Sequence, residues 1–382
     1  MVFIKINTNS YLKVLSLSVL ILFLVSCKAV GPDYEGAPEL EVPENWENQL
    51  NSEFNETGAS QTQWWTLFND PVLNDLISRA AVDNLDAKIA LARVEVARAN
   101  FGIADAARSP ELDGVGDVSE KSKSKSVSGD RDSGLYSSIG LDISWEIDIF
   151  GYVRRSIEAA DAQLERSVEA YRDVMVILYA EIAKNYVALR TAQERLQYAL
   201  ENVKSQKDTL RIVNARYKAE LVSEVDLLQS EQNLAAAESN IPLFFARINE
   251  LSNGLAILLG KNPGTLNSEL NQSYGIPHVP EKTVVKVPRE ILRQRPDIRE
   301  AERLLAQETA EVGIATAEEY PRFNLNGTFG YDSKEFDNQF SSDSRYWSFG
   351  PNFRWNIFDG GATQAAIEVQ DAQLEEARVN YE

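Results

Sequence analysis

The chain holds a single cysteine (Cys27), a single histidine (His278) and two methionines. So few soft ligands cannot build a structural zinc site or a Cys/His dyad, and two thioethers give no ladder for copper. His278 lies in a proline-flanked stretch with no second ligand near it in sequence. A nucleophile elbow and a paired-His metal motif are also missing, which argues against a hydrolase. Positive charge is scarce as well: 38 Lys and Arg face 58 Asp and Glu, for a formal net charge of −20. Without a basic stripe to neutralise phosphates, nucleic acid is not an expected partner. No catalytic, metal or cofactor-binding residue is therefore expected. The length of 382 residues allows one large or two ordinary domains.

An apolar run from Val14 to Val25 follows Lys5 and Lys13, and no acidic residue precedes Asp33. The run is shorter than the roughly 20 residues of a membrane-spanning helix. Its layout is that of a signal peptide, predicted over residues 1–26. It ends in Leu24-Val25-Ser26-Cys27, which resembles a bacterial lipobox. That resemblance implies that Cys27 is the lipid attachment site and the first residue of the mature chain. Lys28 follows where Asp would direct retention in the inner membrane, so the expected destination is the outer membrane of a Gram-negative cell. Several acyl chains would hold firmly, since each buried CH₂ contributes about 0.8 kcal/mol.

The pentapeptide Asp-Ala-Gln-Leu-Glu occurs at Asp161–Glu165 and again at Asp371–Glu375. At the same shift Trp145 falls on Trp355, Gly151 on Gly361 and Tyr171 on Tyr381. One residue more aligns Asp86 with Asp297, Gly102 with Gly313 and Pro110 with Pro321. Matches in constant order point to a duplicated unit of helix, two strands and long helix. The first helices, about Pro71 to Arg108 and Pro296 to Glu319, stop before Pro110 and Pro321, because proline cannot continue the ladder.

The strands, expected at about 111–119, 136–149, 322–331 and 346–358, alternate strictly. Ile139, Leu141, Ile143, Trp145, Ile147 and Ile149 interleave with Gly140, Asp142, Ser144, Glu146 and Asp148. Trp347, Phe349, Phe353, Trp355 and Ile357 repeat the pattern against Ser348, Gly350, Asn352 and Arg354. Period two gives one apolar and one polar face. Segments of about ten residues with this pattern suit a transmembrane β-barrel, and a half-buried soluble sheet is the alternative. Four strands cannot close a barrel, and open edges in lipid are very costly, so other copies must supply the rest. Polar loops Lys121–Gly129 and Asp332–Ser344 fit the extracellular side as solvated, flexible segments. The polar faces would line water, with Asp142, Glu146, Asp148 and Arg354 as lumen candidates that keep the duct wet or bias its solutes.

From about Tyr152 to Tyr217, apolar residues at 3-and-4 spacing (Leu178, Ile182, Leu189, Leu196, Val203, Leu210) form a coiled-coil seam. About 65 helical residues reach on the order of 100 Å. A break at Ala219, Glu220, Leu221, Val222 and Ser223 turns the chain into a second run, Glu224 to Leu259, interrupted at Pro242. The helical hairpin thus covers about 152–259 and projects away from the strands. Trp46, Trp64 and Trp65 read as packing of the N-terminal segment against the helices, with substrate stacking as the alternative.

These features together resemble the outer membrane factor (TolC-like) family, lipoprotein branch of tripartite efflux systems. The residues that carry the resemblance are Cys27-Lys28-Ala29-Val30-Gly31-Pro32-Asp33-Tyr34, Trp64-Trp65-Thr66-Leu67-Phe68-Asn69-Asp70-Pro71, Arg295-Pro296-Asp297-Ile298-Arg299-Glu300-Ala301-Glu302 and Tyr320-Pro321-Arg322-Phe323. The fold implied is a membrane β-barrel, four strands per chain, completed by trimerisation and continued by an α-helical barrel. The partners implied are two further copies, a periplasmic adaptor at the tip Ala219–Ser223, an inner-membrane pump and outer-membrane lipid. The function implied is an exit duct for solutes or drugs; a type I secretion duct and a non-channel coiled-coil scaffold lipoprotein are the alternatives. The expected division is 1–26 signal peptide, 27–70 lipidated segment, 71–285 first repeat and 286–382 second repeat. At the repeat shift Glu382 corresponds to Arg172, so the second copy is expected to lack its hairpin. Glu220 stands where the family turn implies glycine.

Overall fold

Helices ending at Ala106 and at Ala317 each stop short of a proline, Pro110 and Pro321. Those prolines open the strands, as the missing N–H and the restricted preceding residue require. The computed structural model describes residues 28–38, 54–55, 63–122, 133–272, 275–278, 283–284, 288–334 and 336–382. The signal segment, Cys27, Trp46 and residues 123–130 of the Lys/Ser loop lie outside the described residues.

In chain order the principal elements are α1 (Pro71–Asp83), α2 (Leu85–Ala106), β1 (Glu111–Ser122), β2 (Ser133–Ile147), α3 (Tyr152–Lys218), α4 (Glu224–Ser239), α5 (Ile241–Leu258), α6 (Asn267–Leu270), α7 (Pro288–Gln294), α8 (Pro296–Ala317), β3 (Arg322–Ser333), β4 (Arg345–Arg354) and α9 (Ala362–Tyr381). The four strands form one antiparallel meander in the order β1-β2-β3-β4. A two-residue parallel bridge pairs Phe54 with Thr283 and Asn55 with Val284.

Two compact units emerge, and each draws on both sequence copies. One gathers the segment up to Leu40, Glu95–Arg166 and Arg299–Glu382, and so contains the whole sheet. The other gathers Glu41–Val94 and Ser167–Ile298. Its core lies where three helices bring apolar faces together: Leu73, Leu76, Ile77 and Ala80 of α1, Leu178, Ile182, Tyr186 and Leu189 of α3, and Leu251 and Leu255 of α5. Their 3-and-4 spacing makes one stripe per helix, and burying each Leu or Ile stabilises by about 1.5–3 kcal/mol. Leu196 and Leu210 of the α3 seam are partly covered and Val203 is buried.

Three expectations are corrected. The first helix is two, α1 and α2, because Asn84 adopts an extended ψ of 134°. Its side chain accepts from the Ala87 N–H at 2.8 Å and donates to the Leu258 carbonyl at 2.8 Å, so the break is clamped onto the end of α5. The last strand ends at Arg354, leaving Trp355 and Ile357 outside it. Its partner β3 begins at Arg322, and the preceding Pro321 has no N–H to extend the ladder. The 334–344 connection holds two 3₁₀ turns, Phe336–Asn338 and Ser342–Ser344, tied by Ser344 Oγ to the Asn338 carbonyl at 2.7 Å and by Gln339 Nε2 to the Tyr331 carbonyl at 3.0 Å.

Candidate functional site

Register makes the two faces of the sheet explicit. Leu112, Leu141, Ile143, Phe329, Trp347, Phe349 and Phe353 share one face and are 37–72% exposed, so this chain leaves its own apolar face uncovered. The opposite face carries rows of polar and small residues. Asp113, Asp142, Thr328 and Ser348 form one row, and Glu111, Ser144, Asn326 and Gly350 the next. Thr328 and Ser348 hydroxyls hydrogen-bond at 2.9 Å.

The four lumen candidates separate into different situations. Asp142 stands on the polar face between Asp113 and Thr328, its register partners. Arg354 is exposed at the end of β4, opposite Arg322. Glu146, on the same face, is held by Arg322, whose Nε and Nη2 donate to its two oxygens at 3.1 and 2.6 Å. That guanidinium also lies 4.0 Å over the Tyr152 ring. Bidentate geometry of this kind fixes both partners. Asp148 accepts from the Val153 and Arg154 backbone N–H groups at 3.2 and 3.0 Å and from Arg154 Nε at 2.9 Å. It therefore satisfies the orphan donors at the start of α3, where a negative charge also suits the helix dipole. Both side chains are about one-fifth exposed, and both serve as joints between strand and helix.

Beside that joint the segment after Cys27 is strapped into a slot. Val30 N–H donates to the Phe150 carbonyl at 2.9 Å. Arg155, with a 3% exposed side chain, donates to the Val30 carbonyl at 3.1 Å, the Gly31 carbonyl at 3.3 Å, Asp33 at 2.7 Å and Glu158 at 2.7 Å. Hydrogen bonds from Lys28 and then Arg155 hold the Asp33 carboxyl below its ordinary range. Glycine is required on both sides of the strap. A Cβ on Gly31 (φ +80°) would meet Gly313 Cα at 2.5 Å, and one on Gly151 (φ +96°) would meet Ala29 Cβ at 2.4 Å. Tyr34 reaches Glu302, and burial followed by the Glu302 charge pushes its hydroxyl up to about 12.

At the hairpin tip, Glu220 N–H donates to the Tyr217 carbonyl at 2.8 Å and Leu221 N–H to the Arg216 carbonyl at 3.0 Å. This closure places Glu220 at φ +55°, the left-handed conformation that glycine adopts without cost. Ser223 then caps α4 in a reciprocal box with Asp226, which accepts from Ser223 N at 2.9 Å and from its hydroxyl at 2.6 Å. Around the turn Leu221, Val225 and Leu228 are 71, 73 and 55% exposed, an apolar patch with nothing packed on it. Ala219, Glu220 and Ser223 are exposed and Val222 is partly covered.

His278 is exposed, and Trp65 is buried 4.7 Å from Tyr179, with Trp64 edge-on to it at 6.0 Å. Sequence reading missed Arg155 and Arg322. Neither residue type nor spacing marks a partner that lies more than a hundred positions away.

Among the described residues no helix is long and apolar enough to cross a membrane. The four-stranded sheet leaves an apolar face exposed. The family model for outer membrane efflux protein matches residues 76–261 and 287–382. Nodulation protein T of Rhizobium leguminosarum bv. trifolii is 30% identical over 364 residues, covering 94% of this chain and 75% of that protein. Cation efflux system protein CusC of Escherichia coli O6:H1 is 30% identical, covering 94% of this chain and 77% of its own. The solved outer-membrane channel OprN superposes with a TM-score of 0.81 at 32% identity, covering 92% of this chain and 78% of that one. The arrangement of paired strands and long helices thus follows from shared descent, and the chain belongs to the outer membrane efflux protein family.

Proposed function

We propose that this chain is the outer-membrane exit duct of a tripartite efflux system, conducting solutes passively and catalysing nothing. The observation that carries the reading is the four-stranded meander with one exposed apolar face and one polar face. Among the described residues of a single copy β1 and β4 are unpaired edges, which lipid does not tolerate. Three copies contributing four strands each would close a barrel with the apolar face in lipid and the polar face on water.

Within that reading, Asp142 and Arg354 line the lumen, while Glu146 and Asp148 hold the wall to the helices. The exposed tip Ala219–Ser223, with Leu221 beside it, is the contact for a periplasmic adaptor, which links the duct to an inner-membrane pump. Residues 1–26 are removed as a signal peptide, Cys27 is acylated, 27–70 form the lipidated segment, and 71–285 and 286–382 are the two repeats. Fatty-acid labelling of the wild-type chain and of Cys27→Ser tests the acylation; equal labelling of both would rule it out.

The duct reading is tested by single-channel recording of the detergent-purified protein in planar bilayers. Stable conductance steps are expected, with a mass in detergent of three chains. A monodisperse protein that never conducts, with or without its adaptor, would overturn the reading.

A further inference from the structure

Two glycines face each other across β2 and β3, Gly140 and Gly330, and Gly330 is in turn the register partner of Tyr346 on β4. All three lie on the polar face. A Cβ built on Gly140 would stand 2.8 Å from the Phe329 carbonyl oxygen and 3.2 Å from the Tyr346 hydroxyl oxygen. One built on Gly330 would stand 2.6 Å from the Ile139 carbonyl oxygen and 2.9 Å from the same hydroxyl. The phenol of Tyr346 therefore reclines along the sheet, its hydroxyl over bare backbone that only glycine leaves free. Glycine inside a strand marks such a close approach. Glycine also weakens a strand relative to alanine, and here that cost admits both the neighbouring carbonyl oxygens and the Tyr346 hydroxyl.

Other glycines of the sheet differ. A Cβ on Gly114, Gly134 or Gly350 would meet nothing within 4 Å. On the polar face of the described strands, Gly140 and Gly330 alone are covered by an aromatic side chain; Gly327, covered by Phe349 with Cδ2 3.1 Å from a built Cβ, lies on the opposite, apolar face. Rows on either side hold carboxylates, Asp113 and Asp142 towards the helices and Asp332 towards the β3–β4 connection, so an upright ring here would enter the charged, water-facing space.

We infer that Gly140 and Gly330 form a seat that holds the Tyr346 ring flat against the duct wall and so keeps the lumen at this level clear of it. The inference rests on the reading of the polar face as the water-filled wall. In the seat the ring belongs to the wall and obstructs little. Displaced from it, three such rings in a trimer would stand in the path of the solute, and an apolar constriction of that kind resists water and ions.

Conductance of the full-length protein in planar bilayers tests the seat through a double-mutant comparison. Tyr346→Ala alone is expected to change conductance by less than about a quarter, because a seated ring blocks nothing. Gly140→Ala, the gentler of the two glycine changes, is expected to lower it at least twofold by lifting the ring. Gly140→Ala combined with Tyr346→Ala is expected to return it to the wild-type value. Gly350→Ala, on the same face with open space above it, is expected to leave conductance unchanged.

A Tyr346→Ala variant that conducts twofold or more above wild type would show the ring already upright and overturn the seat, with no glycine variant needed. Failure of Tyr346→Ala to rescue Gly140→Ala would overturn it as well. A wild-type chain that never conducts removes the duct reading and the seat with it, whereas a conducting wild type without coupling between residues 140 and 346 removes the seat alone.

Discussion

The indole N–H of Trp145 donates to the carbonyl oxygen of Arg108 at 3.1 Å. Trp355 makes the same bond to the Glu319 carbonyl at 3.0 Å. Each carbonyl lies two residues before the proline that ends its helix, so no helical N–H can reach it, and a tryptophan in the neighbouring strand (Trp145) or just past it (Trp355) supplies the donor instead. The duplication first visible as repeated letters is thus also a repeated hydrogen bond.

Replacing either tryptophan by phenylalanine keeps an aromatic ring, smaller than indole, and removes the donor. Trp145→Phe and Trp355→Phe should each lower stability by about 1 kcal/mol. Thermal unfolding in detergent checks this, and equal losses from the two variants are expected if the two joints are equivalent.

The strap is the second target. Arg155→Lys keeps the charge and loses the guanidinium fork that reaches Val30, Gly31 and Asp33 together. Gly31→Ala forces a side chain into a left-handed residue 2.5 Å from Gly313 Cα. Both should release residues 28–34, seen as faster proteolysis there, while the α1/α3/α5 core keeps its protection. The loss of stability for Arg155→Lys should be about 2 kcal/mol, since the buried fork serves several acceptors. Unchanged cleavage in Gly31→Ala would show that the slot is not tight.

At the tip, Glu220→Gly should stabilise the turn by about 1 kcal/mol, because glycine adopts positive φ without the Cβ penalty. Urea unfolding read at the α3–α4 junction measures it. Under the proposed adaptor contact at the tip, the same variant removes an exposed charge from that surface and should bind the adaptor more weakly despite its firmer turn.

The capping box gives a pH dependence. Hydrogen bonds from the Ser223 hydroxyl and then its N–H hold the Asp226 carboxyl below its ordinary range. A depressed acid contributes stability that is fully present above its unfolded value of about 4 and is lost as pH falls through the lower folded value. Amide exchange of the first turn of α4 should therefore gain protection on going from pH 3 to pH 5, after correction for intrinsic rates. Asp226→Asn should flatten that difference.

Much of the fold is legible in the chain because its signals are local. Period-two alternation marks the faces of β1 to β4, and prolines 110 and 321 mark the helix ends. Asp148 as a helix cap was equally close at hand, five residues before Val153, yet the turn at Gly151 hid the link. Glu146 was not legible at all. Its partner Arg322 is 176 positions away and pairs with it only because β2 and β3 lie side by side.

The sequence by itself determined the two-faced strands and the long hairpin, which depend on residues a few positions apart, and the duplication, which shows as the same letters at a constant shift. Only the tertiary structure decided which charges stand free on the polar face of the sheet, where the strap is gripped and what fills the space above Gly140 and Gly330. Those outcomes depend on register and on contacts between distant segments, where a single carbon atom at a glycine, or one guanidinium among many, selects the arrangement.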